Sequence, residues 1–514
     1  MFGNKKGAEE ALTPHSNGML LEVDEAPKKP GKWIILAIQH VLAMFVACIT
    51  VPLIVFAKSY VEIGGEMVSL ASVMIAPTLF SAGIGTLFYL FATKFKSPMF
   101  LASSFAYMTA MSEAIKIDCE STGQVNLWIL PIGMAMVGLV YCVVALLIKF
   151  FGVKWLNKLL PTIVVGPVII VIGLSLAASA VSNLTTGVAW AGVETTSPGV
   201  FDKYNLWAIL SGLVAMVVTA ICAHYGKGTV SLVPFVIGML SGYVFAMIVT
   251  LIGYYGCRSD YCHIIDFSPI VNLFAKQNAD GSWVANVRFQ SFLDYPKFLF
   301  IAAQSSNVVP LSGSAVGQAA LIFIPVSLVT ICEHIGDHKN MSGLLQRDLL
   351  EKPGLSRTLV GDGVATAISG IFCGAANTTY GENVAVVGVT KIASTKVIAL
   401  ACIFSILLGF FAPLMAVVQT IPACVTGGVS LILYGFIASS GVKMLINERV
   451  DMGKTKNIFV ASVILVAGIG GLAFKFAFPD VTLKITSVAV AMILGIVMNA
   501  ILRDKKEEGE AKAE

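Results

Sequence analysis

Three carboxylates stand where carboxylates are costly. Glu333 and Asp337 fall in the run Cys332-Glu-His-Ile-Gly-Asp-His338, and Glu382 follows Gly381 in Asn377-Thr-Thr-Tyr-Gly-Glu-Asn383. Both runs sit in stretches otherwise apolar enough to lie in a membrane, where an ionisable side chain is by default a functional candidate. Glu333 and Asp337 are spaced i, i+4 and so share one helix face. Two carboxylates on one face in a low dielectric repel each other, and a proton shared between them relieves that cost, which is the chemistry of a proton-coupling site. Glu382 opens a short helix, where the dipole favours an anion. The edge of a nucleobase alternates N–H donors with C=O acceptors, so its receptor needs carboxylate oxygens to accept and backbone N–H groups to donate. Glu333, Glu382 and two helix N-termini supply that set. An inorganic-anion carrier calls for positive charge instead, and the Glu382 segment carries no Lys or Arg before Lys391.

Histidines add less. His40, beside Gln39, falls deep in the first apolar stretch, where pairing with a neighbour competes with a role in proton transfer. His334 and His338 share a face as some zinc ligands do, but no third ligand is identifiable, so neither a metal nor a cofactor is expected. No nucleophile–base pair stands out, and an enzyme is not expected.

The elements that position these residues follow from composition. Of the 514 residues 57% are hydrophobic and only 12% charged, with a mean hydropathy of +0.85, against about 25% charged in soluble domains. Trp33–Phe56 is typical, its strongly polar members being Gln39, His40 and Thr50; it exceeds the roughly 20 apolar residues that a bilayer core requires. Windows of this kind predict fourteen spans, centred near residues 45, 80, 106, 138, 170, 216, 242, 328, 367, 384, 406, 434, 465 and 493. The expected fold class is therefore all-α, polytopic and membrane-embedded. The even-numbered loops and the two tails hold most of the 34 Lys and Arg, which predicts a cytoplasmic location for both termini. The net charge of +4 then reflects topology, and no nucleic-acid partner is expected. Met1–Gly31 is polar and precedes a span too long for a signal segment, so no cleavable signal is expected.

Pro161–Val181 aligns without a gap with Pro422–Val442, sharing Pro161/Pro422, Gly166/Gly427, Ser179/Ser440 and four further positions. Ser103-Ser104-Phe105-Ala106 in span three likewise parallels Thr378-Thr379-Tyr380-Gly381 in span ten. Both pairs lie seven spans apart, an odd number, so the halves face opposite ways across the membrane, as in secondary transporters with a midplane site between discontinuous helices. Spans three and ten are short and polar. The expectation is an extended segment in each, with half-helices opening near Phe105 and Gly381, because extended backbone at membrane depth is tolerated only where it is buried or lines a cavity.

With these residues in hand, Gln39-His40, Glu333-His-Ile-Gly-Asp337 and Asn377-Thr-Thr-Tyr-Gly-Glu-Asn383, followed by Thr390-Lys391, resemble the nucleobase–ascorbate transporters, over essentially the whole of Trp33–Leu502. The resemblance implies a 7+7 inverted repeat: a core of spans 1–4 (33–152) and 8–11 (317–415), and a gate of spans 5–7 (153–256) and 12–14 (416–502). Residues 257–316 form a long external loop with the lead-in to span eight, and 1–32 and 503–514 are tails. It implies elevator-type transport of a nucleobase with protons across the plasma (bacterial inner) membrane, by a homodimer joined through the gate. Glu333 and Glu382 would bond the base, helped by the amides of Phe105 and Gly381, with Tyr380 and Tyr434 lining the pocket. Glu333 and Asp337 would carry the proton, with His40 as the next candidate. Asp337 is a departure, since uracil-carrying members commonly have His there and purine carriers Asp. Purine carriers, however, usually have Gln-Asn where this chain has Glu382-Asn383. Weighting the residue that meets the base favours uracil, with xanthine or uric acid as the alternative and an anion exchanger on the same fold as the remaining reading.

Overall fold

A computed structural model describes residues 15–56, 59–63, 66–119, 123–186, 205–259, 262–278, 282–298, 307–477 and 482–502. The chain folds as a predominantly helical, multi-pass membrane protein. Its principal elements are α1 (Pro30–Val55), α2 (Leu70–Ala92), β1 (Leu101–Ser103), α3 (Met108–Ala114), α4 (Ile129–Phe151), α5 (Thr162–Ser175), α6 (Leu206–Tyr225), α7 (Pro234–Val249), α8 (Gly313–Leu345), α9 (Leu355–Ile371), β2 (Asn377–Thr379), α10 (Gly381–Thr390), α11 (Thr395–Leu408), α12 (Ala423–Asn447), α13 (Thr455–Ile469) and α14 (Ser487–Ile501). Among the described residues, eight helices are long and apolar enough to cross a membrane: α1, α2, α4, α6, α8, α12, and α5 and α7 with their continuations to Thr185 and Gly256. The apolar α11, α13 and α14 are shorter.

Local chemistry sets the helix ends. Pro30 and Pro234 occupy first-turn positions, where a missing N–H costs nothing. Pro161 and Pro422, which align with each other in the sequence, are the N-caps of α5 and α12. Ser312 caps α8 by accepting the Ala315 N–H at 2.9 Å, and Ser394 caps α11 through Val397. At the other end, Gln346 and Lys391 close α8 and α10 in the left-handed region, at φ 51° and 57°.

Two sets of packed helices result. α2 packs on α1, α9 and α11, and α4 packs on α8 and α9. α12 packs on α5 and α6, and α13 on α5 and α14. Glycines permit the closest approaches. A Cβ on Gly138 of α4 would lie 2.8 Å from the Gly363 carbonyl of α9, and one on Gly428 of α12 only 2.0 Å from the Gly212 carbonyl of α6. Gly428→Ala should therefore force α6 and α12 apart, at an overpacking cost of about 1–3 kcal/mol. Thermal unfolding in detergent should shift to lower temperature, and an unchanged midpoint would mean that these backbones part without cost.

The third expected span is broken as anticipated, but later along the chain. Strand β1 is followed by a turn through Phe105–Tyr107, and the helix begins at Met108 rather than near Phe105. The reason is main-chain pairing. The Ser104 N–H is given to the Ala376 carbonyl at 2.8 Å, holding the chain extended up to Phe105, and the first turn closes from Met108 N–H to Phe105 O. β1 and β2 pair antiparallel, with Leu101 opposite Thr379, Ala102 opposite Thr378 and Ser103 opposite Asn377. All six residues are buried.

Candidate functional site

The site is built where α8, the β1–β2 crossing and α10 converge. They line one side of a cavity of about 860 Å³, whose other side comes from α5 and α12. Glu333 and Asp337 reach it from α8, Phe105 from the turn before α3, and Tyr380, Gly381 and Glu382 from the start of α10. Leu433, Phe436 and Ile437 of α12 and Ile169 and Ile172 of α5 form the apolar wall opposite. At the mouth stand Lys339, Lys443, Asn447 and Glu448, where Lys339 Nζ pairs with Glu448 Oε1 at 3.0 Å across the two helix sets.

α8 and α10 meet at Asp337. Its Oδ2 accepts the Thr379 hydroxyl at 2.8 Å, and a Cβ on Gly381 would stand 3.5 Å from its Oδ1. Gly381 thus leaves α10's first turn open to the cavity, and first-turn N–H groups lack intrahelical acceptors. Glu382 follows directly, so a carboxylate and the start of α10 face the same space, the Asn383 and Val384 N–H groups already being given to Tyr380 O. Ser103, Ser104 and Thr378 also line it, and among the described residues their hydroxyls have no protein partner although these three are at most 3% exposed. Buried polar atoms require partners, and these hydroxyls give the wall a polar stretch next to Glu333 and Glu382.

The structure gathers six of the eight candidate residues, Glu333, Asp337, Phe105, Tyr380, Gly381 and Glu382, onto one cavity. His40 lies behind the wall: the Asn383 amide reaches its Nδ1 at 3.0 Å and its carbonyl at 3.2 Å. Pairing with a neighbour is what holds His40, and it buttresses the residue next to Glu382. Tyr434 is not on the cavity wall. It is 2% exposed with its hydroxyl 4.0 Å from Met108 Sδ, because the cavity face of α12, carried by Leu433, Phe436 and Ile437, lies roughly 100° around the helix from it.

Asp362 went unmarked in the sequence. It is fully buried in α9, with Oδ2 2.7 Å from His334 Nδ1, while His334 Nε2 meets the Thr358 hydroxyl at 3.0 Å. The rule that singled out Glu333, an ionisable group inside a span, applies equally to Asp362 within Val360-Gly-Asp-Gly-Val364. His338 stacks on His334 with ring centroids 4.1 Å apart and meets the Tyr89 hydroxyl at 2.7 Å. Both histidines therefore face away from the cavity, into a hydrogen-bonded core that orients α8. Among the described residues no group of three His, Cys, Asp or Glu side chains is placed to hold a metal ion.

The profile of a permease family matches residues 31–476. The uracil permease of Bacillus caldolyticus is 37% identical over 494 residues, covering 96% of this chain and 97% of that protein. The uracil permease of Escherichia coli K12 is 32% identical over 471 residues, covering 91% and 90% respectively. Among solved structures, the murine Slc26a9 anion transporter in its inward-facing state superposes with a TM-score of 0.57 at 9% identity, over 93% of this chain and 69% of that one. The transmembrane domain of the cyanobacterial bicarbonate transporter BicA gives 0.50 at 13% identity, over 89% and 96%. At such identities the last two likenesses concern the fold alone.

Proposed function

The chain belongs to that permease family, the nucleobase–ascorbate transporters, and on this premise we propose that it imports uracil together with protons by moving a substrate-bearing core against a gate. The observation that carries the reading is one cavity faced by the Glu333 and Glu382 carboxylates and by the open first turn at Gly381. Carboxylates accept from the N–H groups of the base, and backbone amides donate to its carbonyls. The relatives named uracil permeases support the choice of base, and the apolar wall of α5 and α12 suits a flat ring. Asp337 supports proton coupling, since it lies one turn from Glu333 in the same cavity and is tied by Thr379 to the base of α10. Fourteen spans in two inverted halves, with helices 1–4 and 8–11 as core and the rest as a dimerising gate, form the frame of this reading. The packing of α2 with α9 and α11 and of α12 with α5 and α6 supports it. The distribution of Lys and Arg supports both termini in the cytoplasm of a plasma-membrane protein, with the cavity mouth at Lys339 and Lys443 on that side.

Uptake of radiolabelled uracil, xanthine, uric acid and bicarbonate into cells lacking their own carriers tests it. Uracil should accumulate. Accumulation of a purine without uracil transfers the reading to the purine alternative that Asp337 supports, and bicarbonate alone would transfer it to an anion exchanger.

Movement of core against gate has its own test. Gly336 of α8 faces Met444 of α12, a Cβ there standing 3.8 Å from Met444 Cε. Cysteines at these two positions, joined by a short bifunctional reagent, should stop transport while sparing binding. A crosslink between α5 and α12, whose backbones approach at Gly166 and Gly441, should spare both. Transport that survives the α8–α12 crosslink counts against relative movement.

A further inference from the structure

Polar residues ahead of α1 read as a solvated tail, yet part of that segment is built into the fold. Met19, Leu21 and Val23 are 1%, 4% and 1% exposed, an alternation of period two. The segment lies along the stretch between α10 and α11. Lys391 O accepts the Leu20 N–H at 2.6 Å, Ala393 N–H is given to Leu21 O at 3.0 Å, and Thr395 N–H to Val23 O at 3.0 Å. The Thr395 hydroxyl adds a bond to Val23 O at 2.8 Å, and the Ser394 hydroxyl bonds Glu25 O. Asn17 Nδ2 is given to Leu345 O at 3.1 Å, in the last turn of α8. Met19 and Val23 pack in one cluster with Met341 and Leu345 of α8 and Val384 and Val387 of α10. His15 Nε2 and Glu25 Oε2, 3.0 Å apart, close the segment on itself.

These contacts fall on the far ends of the two helices that carry the site carboxylates. At its near end α10 is tied to α8 through Thr379 and Asp337. At its far end, Lys391, it is met by the N-terminal segment. Ten residues are too few for a helix to hold itself, so α10 depends on such tertiary contacts. We propose that residues 15–25 are a strap that positions α10 against α8, and that Asn17, Leu21 and Val23 are positioning residues for Glu382 relative to Glu333 and Asp337. The consequence for binding rests on the reading that this cavity holds the substrate; the consequence for α10 does not.

The test uses the full-length protein in detergent, with Leu21→Ser/Val23→Ser as the loosened strap and Leu21→Ile/Val23→Ile as the conservative control. Hydrogen–deuterium exchange of peptides covering 381–391 should rise about tenfold or more in the serine variant, with exchange of 423–447 unchanged. Saturation binding of labelled uracil should show Kd raised about tenfold with the number of sites per folded molecule retained, and the isoleucine variant should match wild type in both. Unchanged exchange over 381–391, or an equal rise over 423–447, overturns the strap. A lower site number at unchanged Kd also overturns it, since a merely structural tail gives that result. If wild type binds no uracil while the exchange result stands, the strap is upheld and the substrate reading fails. Asn17→Ala, which removes the bond to Leu345 together with those to Glu22 Oε1 and from the Met19 N–H inside the strap, should move the 381–391 exchange in the same direction by a smaller factor, and keeps the proposal testable if the serine variant does not fold.

Discussion

Replacing Glu382 by Gln should abolish uracil binding. The substitution keeps size and shape and exchanges one carboxylate oxygen for an NH2, so a donor is presented to a donor. A buried N–H of the base is then left unsatisfied, at about 1–3 kcal/mol, and the hydrogen bond to a charged acceptor is lost as well. Together these weaken binding by about 100-fold or more. Gly381 beside it contributes no side chain, and the Asn383 NH2 is engaged with His40. Saturation binding on purified protein reads the loss directly, while the thermal unfolding midpoint should stay close to wild type. Unchanged affinity for every nucleobase would remove Glu382 from the site.

Asp337→Asn and Glu333→Gln should separate coupling from binding. Asp337 touches the frame of the site, accepting from Thr379 beside Gly381, whereas Glu333 faces the cavity and its carboxylate has no hydrogen-bond partner among the described residues. Asparagine at 337 can still accept from Thr379 but removes the like charge one turn from Glu333. Concentrative uptake driven by a pH gradient should fall by about tenfold or more and binding should depend less on pH, whereas exchange of labelled for unlabelled base, which moves no net proton, should largely survive. Glu333→Gln should lose binding and exchange together. Uptake and counterflow in proteoliposomes with an imposed gradient, with and without an uncoupler, measure all three. Wild-type accumulation that ignores the uncoupler would sink proton coupling. Normal accumulation by Asp337→Asn would move the proton elsewhere, and the burial of His40 against Asn383 makes that residue a poor heir.

Much of the site was legible because membranes punish polar residues. Glu333, Asp337 and Glu382 stood out against apolar surroundings, and the Ser103–Ala106 and Thr378–Gly381 runs betrayed the broken spans. The same logic covered Asp362, but its neighbours Gly361 and Gly363 gave no motif to arrest the eye, and its partner His334 looked like half of a metal pair. The helix start at Met108 depended on the Ser104–Ala376 bond, a contact between residues far apart in sequence. Tyr434 shows the limit of helical faces: being on the right helix does not decide which side chains reach a cavity. The strap was hidden for a different reason. Met19, Leu21 and Val23 are three apolar residues in a polar context, too short a pattern to distinguish from a tail until the ends of α8 and α10 are seen beneath them.

The crossing of β1 and β2 bears on how such a carrier changes its diet. The two strands are joined by main-chain bonds, Ser104 to Ala376 and the register from Leu101–Thr379 to Ser103–Asn377, and main-chain bonds are indifferent to side-chain identity. Ser103, Ser104 and Thr378 can therefore be exchanged for other small residues without dismantling the crossing, whereas a slip of one residue would turn every side chain to the wrong face. Selection acting on this protein has a scaffold that tolerates substitution and resists insertion or deletion at the same few positions. A library confined to those three residues, keeping chain length fixed, should yield folded transporters at high frequency with altered preference among bases, while single-residue deletions between Leu101 and Ser104 should yield none.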